Sequence, residues 1–195
     1  MTDPSDEIQD GRDSTASGKY AIIVIGTLAI GGALFNWWYQ RELHRRALDF
    51  WGPETSRLIV QAPQVEAWRL APESSPEAAA RQPDAAGEAP ARIAVGERAW
   101  VVIDRQEIST PTQAPGSSHV RRSLVNDQGF DWSDTADPCQ TDWQYALRFE
   151  DGPRTETVLI GLDCPRLYVV GTHQQQSIRP MVPALREFFD ELFPR

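Results

Sequence analysis

Residues 20–39, YAIIVIGTLAIGGALFNWWY, carry no charged side chain, and no other feature so restricts what this chain can become. A helix rises about 1.5 Å per residue, so a run of this length spans roughly the 30 Å of a bilayer's hydrocarbon core. Ile22, Ile23, Val24, Ile25, Leu28, Ile30, Leu34 and Phe35 offer a lipid-compatible surface. Trp37, Trp38 and Tyr39 gather at one end, where a ring with a polar edge suits the headgroup zone. Lys19 and Arg41 bracket the run. A cleaved signal peptide fits worse, because it starts basic and ends at small residues. Here Asp3, Asp6, Glu7, Asp10 and Asp13 come first, and the run passes into WWYQRELHRR. A buried core helix would need a large domain around it, whereas the residues before the run are few and polar. The expectation is a single-pass membrane protein with the lipid bilayer as a partner.

Orientation rests on Lys and Arg near the run. Arg12 and Lys19 precede it, and Arg41, Arg45 and Arg46 follow, which favours a cytoplasmic C-terminal domain by one residue. Thr27 with Gly31 and Ala29 with Ala33 are small pairs at helical spacing, which would let two such helices approach. Ordinary glycine and alanine usage in a membrane helix is the simpler explanation of them.

About 155 residues follow the run, enough for one domain with its own core. The net charge of −9 argues against nucleic acid as a partner, which wants a basic face. The expected organisation is a disordered acidic tail over 1–18, then a membrane helix with a juxtamembrane extension over 19–51. A soluble domain over 52–195 follows, with a flexible Ala/Pro/Glu-rich loop over 72–91 that lacks any large apolar residue.

Inside the domain, Leu43, Ala47 and Phe50 form an apolar stripe that Gly52-Pro53 interrupts, with a new helix after Pro53. QVEAWRL and RAWVVID read as strands, the second buried on both faces. Ser117 or Ser118 is placed to cap a helix whose inner face holds Val120 and Leu124, with Arg121 and Arg122 pointing more outward. DWQYALRFEDGPRTETVLIGLD is a hairpin, with Trp143, Tyr145, Leu147 and Phe149 on one face. A four-residue turn around Asp151-Gly152 places Tyr145 opposite Val158 and Trp143 opposite Ile160. RLYVVG is a last strand. Leu185, Phe188, Phe189 and Leu192 mark a final amphipathic helix. The expected class is α+β: an antiparallel sheet of about five strands with helices packed on one face.

Candidate chemistry is thin. The same hairpin register sets Cys139 opposite Cys164, within reach of a disulfide if the compartment is oxidising. In a reducing one they are two small buried hydrophobes. Asp131, Asp134 and Asp137, within an acidic loop over 127–142, are a weak metal candidate, because aspartates also build turns. Arg121 and Arg122 could hold an anion, or simply form a solvated face. His44, His119 and His173 stand singly, without the paired spacing of a zinc site. Trp132, in a polar loop, could anchor a contact. No cofactor and no enzymatic activity is expected. The leading expectation is a membrane-anchored module that binds another protein or helps assemble a complex. A ligand- or metal-binding domain or enzyme using the acidic loop or the Arg121/Arg122 helix, and a purely structural anchor, are the alternatives.

Overall fold

Two units make up the chain in the computed structural model, Met1–Leu43 and His44–Arg195. The structure describes residues 13–42, 45–80, 91–110, 114–133 and 141–194, with only the backbone described for 13–19 and 40–42. The first unit holds one helix, α1 (Asp13–Glu42). It includes Tyr20–Tyr39, 20 residues long and apolar enough to cross a membrane. The large apolar side chains of this run are exposed. Thr27 returns its hydroxyl to the Ile23 carbonyl at 2.9 Å, so the hydroxyl in the middle of the run is satisfied within the helix. Helix already begins at Asp13, inside the stretch expected to be disordered.

The second unit opens with α2 (Arg45–Gln61), not at residue 52 as the sequence suggested. Ala47 and Trp51 are buried in its core, so the expected juxtamembrane extension belongs to the domain from Arg45 onward. The break at Gly52-Pro53 is present. Gly52 sits at φ 72, ψ 162, a backbone setting that only glycine adopts without strain, and helix resumes on Pro53.

Seven strands form one curled antiparallel sheet: β1 (Gln64–Pro72), β2 (Arg92–Val95), β3 (Arg98–Glu107), β4 (Tyr145–Asp151), β5 (Arg154–Gly161), β6 (Arg166–Val169) and β7 (Gln174–Ser177). Their order is β2-β3-β1-β4-β5-β6-β7. The two strands beyond the expected five are the edges. RIAV is short and abuts the Ala/Pro/Glu-rich stretch, and QQQS has no apolar alternation to announce it. An edge strand can be polar because only one of its sides pairs. The Ala/Pro/Glu-rich stretch itself is partly ordered: β1 reaches Pro72, and Pro76–Ala80 is a short helix, α3. Residues 81–90 of that stretch lie outside the described ones.

The remaining helices are α4 (Ser117–Leu124) and α5 (Val182–Leu192). The main core joins Trp51 and Ile59 of α2, Val120 and Leu124 of α4, and Leu185, Phe188 and Phe189 of α5 to one face of the sheet. Val65, Ala67, Leu147, Phe149, Val158 and Ile160 line that face. Each such large side chain contributes about 1.5–3 kcal/mol when removed from water. Tyr145 stacks on Phe189 with ring centroids 4.1 Å apart, which fixes α5 over β4. The reverse face has a smaller cluster around Trp68, Trp100, Trp143 and Leu159. Arg105 and Arg148, from the strands on either side, lie 5.5 and 5.6 Å from the centre of the Trp68 ring. Their guanidinium groups cover an aromatic face and remain hydrated.

The central hairpin exists, but its register differs from the expected one by two residues. Tyr145 faces Ile160, and Asp151 faces Arg154 across a two-residue turn. Gly152 takes φ 59, the left-handed value that a II′ turn needs at its first central position. Asp151 and Arg154 close the ladder, so the N–H that Pro153 lacks is not one the hairpin uses. A shift of two keeps every side chain on its face, and for that reason the apolar pattern could not reveal it. Trp143 lies before β4 and packs in the reverse-face cluster, not with Tyr145, Leu147 and Phe149.

Candidate functional site

Two arginines, placed by different elements against the helix-covered side of the sheet, have opposite surroundings. Arg121 leaves α4 toward the end of α2, inward rather than toward solvent. Its Nε donates to the Ile59 carbonyl at 2.7 Å and a terminal nitrogen donates to the Ala62 carbonyl at 2.9 Å. The last carbonyls of a helix have no partner in their own ladder, and a cation there also complements the helix dipole. Loss of water around the guanidinium lowers its pKa from the ordinary arginine value. Arg121 therefore staples α4 to α2, and Arg122 beside it is exposed. The two do not form the paired anion site the sequence allowed.

The acidic loop is divided in the same manner. The Asp127 carboxylate accepts from Ala47 N at 2.7 Å and from Arg46 N at 3.2 Å, capping the first turn of α2 from about 80 residues away in sequence. Asp131 accepts from both the backbone N and the hydroxyl of Ser133, a local turn. Asp142 accepts from the Trp100 indole at 3.2 Å. Asp134 and Asp137 lie outside the described residues. Among the described residues no three His, Cys, Asp or Glu side chains converge to hold a metal ion.

Trp132 is half-buried and packs against the main core. It belongs to a ring cluster with Phe50, Trp51 and Phe130, and its indole donates to the Asp127 carbonyl at 2.9 Å. The Trp51 indole donates to the Leu124 carbonyl at 2.6 Å, satisfying the end of α4 as Arg121 satisfies α2. His119 is exposed on α4, and His44 lies outside the described residues. His173 Nδ1 meets the Tyr168 hydroxyl at 2.7 Å in the turn between β6 and β7.

Cys164 is disulfide-bonded, while Cys139 lies outside the described residues. The register argument that set the two opposite each other does not hold. Under the actual hairpin register the residue that extends opposite Cys164 is Thr141, whose hydroxyl lies 3.4 Å from the sulfur. In the first unit, Trp37, Trp38 and Tyr39 are exposed at the end of the apolar run, and Phe35 stacks on Tyr39 with centroids 6.1 Å apart. The backbones of Lys19 and Arg41 lie within α1.

The second arginine was not singled out from the sequence. Arg69 continues the alternation of Val65 and Ala67 on β1, so it falls on the same face as those core residues. Beside it the β1–β3 ladder shifts: Arg69 pairs with Asp104 but Leu70 pairs with Val102, leaving Ile103 as an extra residue on β3. Such bulges re-aim side chains and are common beside working sites. The Arg69 Nε is buried and has no hydrogen-bond partner. A buried donor left without an acceptor costs about 1–3 kcal/mol. Arg69 lines a cleft of about 860 Å³ together with Gln144, Tyr145 and Asp163 from the sheet side and Arg186, Asp190 and Phe193 from the C-terminal helix segment. Gln144 bridges this wall, donating to Asp163 and accepting from Leu162 N at 2.8 Å. Glu77 of α3 and Ile103 complete the rim. The legible signal was a charged residue at an inward strand position, which Val65-x-Ala67-x-Arg69 displays.

Comparison with family models, with curated proteins and with solved structures gives no match to this chain.

Proposed function

We propose that this chain is a single-pass, membrane-anchored, non-enzymatic module whose α+β domain binds another protein or helps assemble a complex. The observation that carries the reading is the exposed apolar run Tyr20–Tyr39 joined to a separate folded unit. An aqueous monomer rarely tolerates so large an apolar surface, which marks a membrane or protein contact. Two of the residues that sequence reasoning offered for ligand chemistry, Arg121 and Asp127, hold the domain's own helices together. That supports an anchored binding domain over an enzyme built on the acidic loop or on α4.

For orientation two signals oppose each other. Arg41, Arg45 and Arg46 against Arg12 and Lys19 favour a cytoplasmic domain by a margin of one residue. The disulfide at Cys164 favours an oxidising compartment, because cytosolic thiols are kept reduced. The disulfide is the stronger of the two, so the domain is assigned to the non-cytoplasmic side.

Carbonate extraction tests the anchor: the chain stays with the membrane pellet, and release into the supernatant overturns it. Purification in mild detergent tests the assembly role. A stoichiometric partner persists through two orthogonal columns, whereas a monodisperse lone chain overturns it. Alkylation by an impermeant maleimide, with and without reductant, tests orientation. Labelling at Cys164 in intact cells only after reduction is expected, and labelling without reductant only after lysis returns the domain to the cytoplasm.

A further inference from the structure

Beyond the anchored binding role, we propose that the cleft beside Arg69 binds a short peptide or amino acid as a zwitterion, its carboxylate on Arg69 and its ammonium on the acidic side chains of the rim. Four observations meet there. Arg69 lines the cleft and is only half-buried, while its Nε, closed off from solvent, has no acceptor within the protein, so the fold does not use up this guanidinium. A bulge at Ile103 interrupts the β1–β3 ladder beside that arginine. The volume, about 860 Å³, is within the range of small-ligand sites, roughly 300–1,000 Å³. The lining also carries both signs: Arg69 and Arg186 against Glu77, Asp163 and Asp190.

The charges select the ligand class. A planar guanidinium matches a carboxylate in shape and charge. Asp163 is already approached by Arg186 at 4.0 Å and bonded by Gln144, which leaves Asp190 and Glu77 to meet a cation. With three acids against two bases in the lining, a bare anion would meet more repulsion than attraction away from Arg69. A molecule with a carboxylate at one end and an ammonium at the other satisfies both. Phe193 and Leu70 supply apolar wall for the backbone or side chain between those ends. The site lies wholly within the second unit, so it stands whether or not that unit also joins a membrane complex.

The test uses the full chain in detergent micelles, equilibrated with a random tripeptide pool bearing free termini and read by dialysis and mass spectrometry. Retention of some members of the free pool is expected. Amidation of the carboxylate lowers retention at least tenfold, and acetylation of the amine lowers it several-fold. Arg69→Met reproduces the amidation loss while keeping a cooperative melt. Asp190→Asn, on an exposed position of α5, reproduces the acetylation loss and serves as the deciding variant should Arg69→Met fail to fold. No retention of the free pool overturns the site. Equal retention of amidated and free pools overturns the role of Arg69, and equal retention of the acetylated pool overturns the zwitterion.

Discussion

Arg121 and Arg69 are each partly withdrawn from water, yet only one has its hydrogen bonds satisfied. Arg121 donates to two carbonyls at the end of α2, while Asp127 caps the start of α2 and the Trp51 indole caps the end of α4. Polar groups there close each other's open valences, so they specify how α2 and α4 meet. Around Arg69 the ladder bulges, a cleft opens and a buried N–H goes without an acceptor. A polar group that completes the fold belongs to stability. One that the fold leaves wanting is available to a ligand. The difference can be measured, because the two kinds of site respond in opposite ways to removal.

The largest loss is expected at Arg121→Met. It removes two charge-assisted hydrogen bonds and leaves the Ile59 and Ala62 carbonyls open, a cost of about 3 kcal/mol in urea unfolding. A loss well under 1 kcal/mol would show that water replaces Arg121 freely and that the α2–α4 corner is not held by it. Trp51→Phe comes next. The shorter ring leaves the Leu124 carbonyl without its 2.6 Å donor and opens a small gap in the Phe50, Phe130 and Trp132 cluster, at about 2 kcal/mol. Asp127→Ala removes the cap on Arg46 N and Ala47 N and a favourable charge at the start of α2, at about 1 kcal/mol. Combined with Arg121→Met, its effect should add, since the two act on opposite ends of α2.

How much of this was legible in the residues depends on range. The apolar run, the Gly52-Pro53 break, the hairpin and the closing helix follow local patterns and could be read directly. Leu185, Phe188 and Phe189 are buried as their spacing requires. What could not be read is what periodicity leaves invariant. The two-residue register shift of the hairpin keeps every face, so it escaped, and the pairing of Cys139 with Cys164 was argued from a register the chain does not use. The edge strand Gln174–Ser177 escaped because polar residues at an edge carry no alternating signal. Long-range caps escaped as well. Asp127 reads locally as one of several loop acids, and nothing in its neighbours shows that it serves Ala47. Arg121 reads as a solvated face because the acceptors it finds belong to a helix about 60 residues earlier. Arg69 was legible in principle, as a charge at an inward position, yet its meaning depends on the bulge at Ile103, which only the pairing reveals.

The smallest effect on stability, and the sharpest test of the comparison, is expected at Arg69→Met. Methionine keeps the length and most of the volume of the side chain while removing a buried donor that has no acceptor. An unsatisfied buried group works against the folded state, and replacing it with an apolar one of similar shape is close to neutral or stabilising. The melting temperature of the full chain should therefore stay within about 2 °C of the parent or rise, since 1 kcal/mol moves a domain of this size by roughly 2–4 °C. A fall of more than about 5 °C would place Arg69 with Arg121 among the residues that hold the fold. It would mean that water satisfies Nε in solution and that the cleft is a by-product of the bulge. An unchanged or raised melt, beside the loss at Arg121→Met, would leave Arg69 without a structural reason to be charged. A charged residue kept at an inward strand position without a structural return needs a partner from outside the chain.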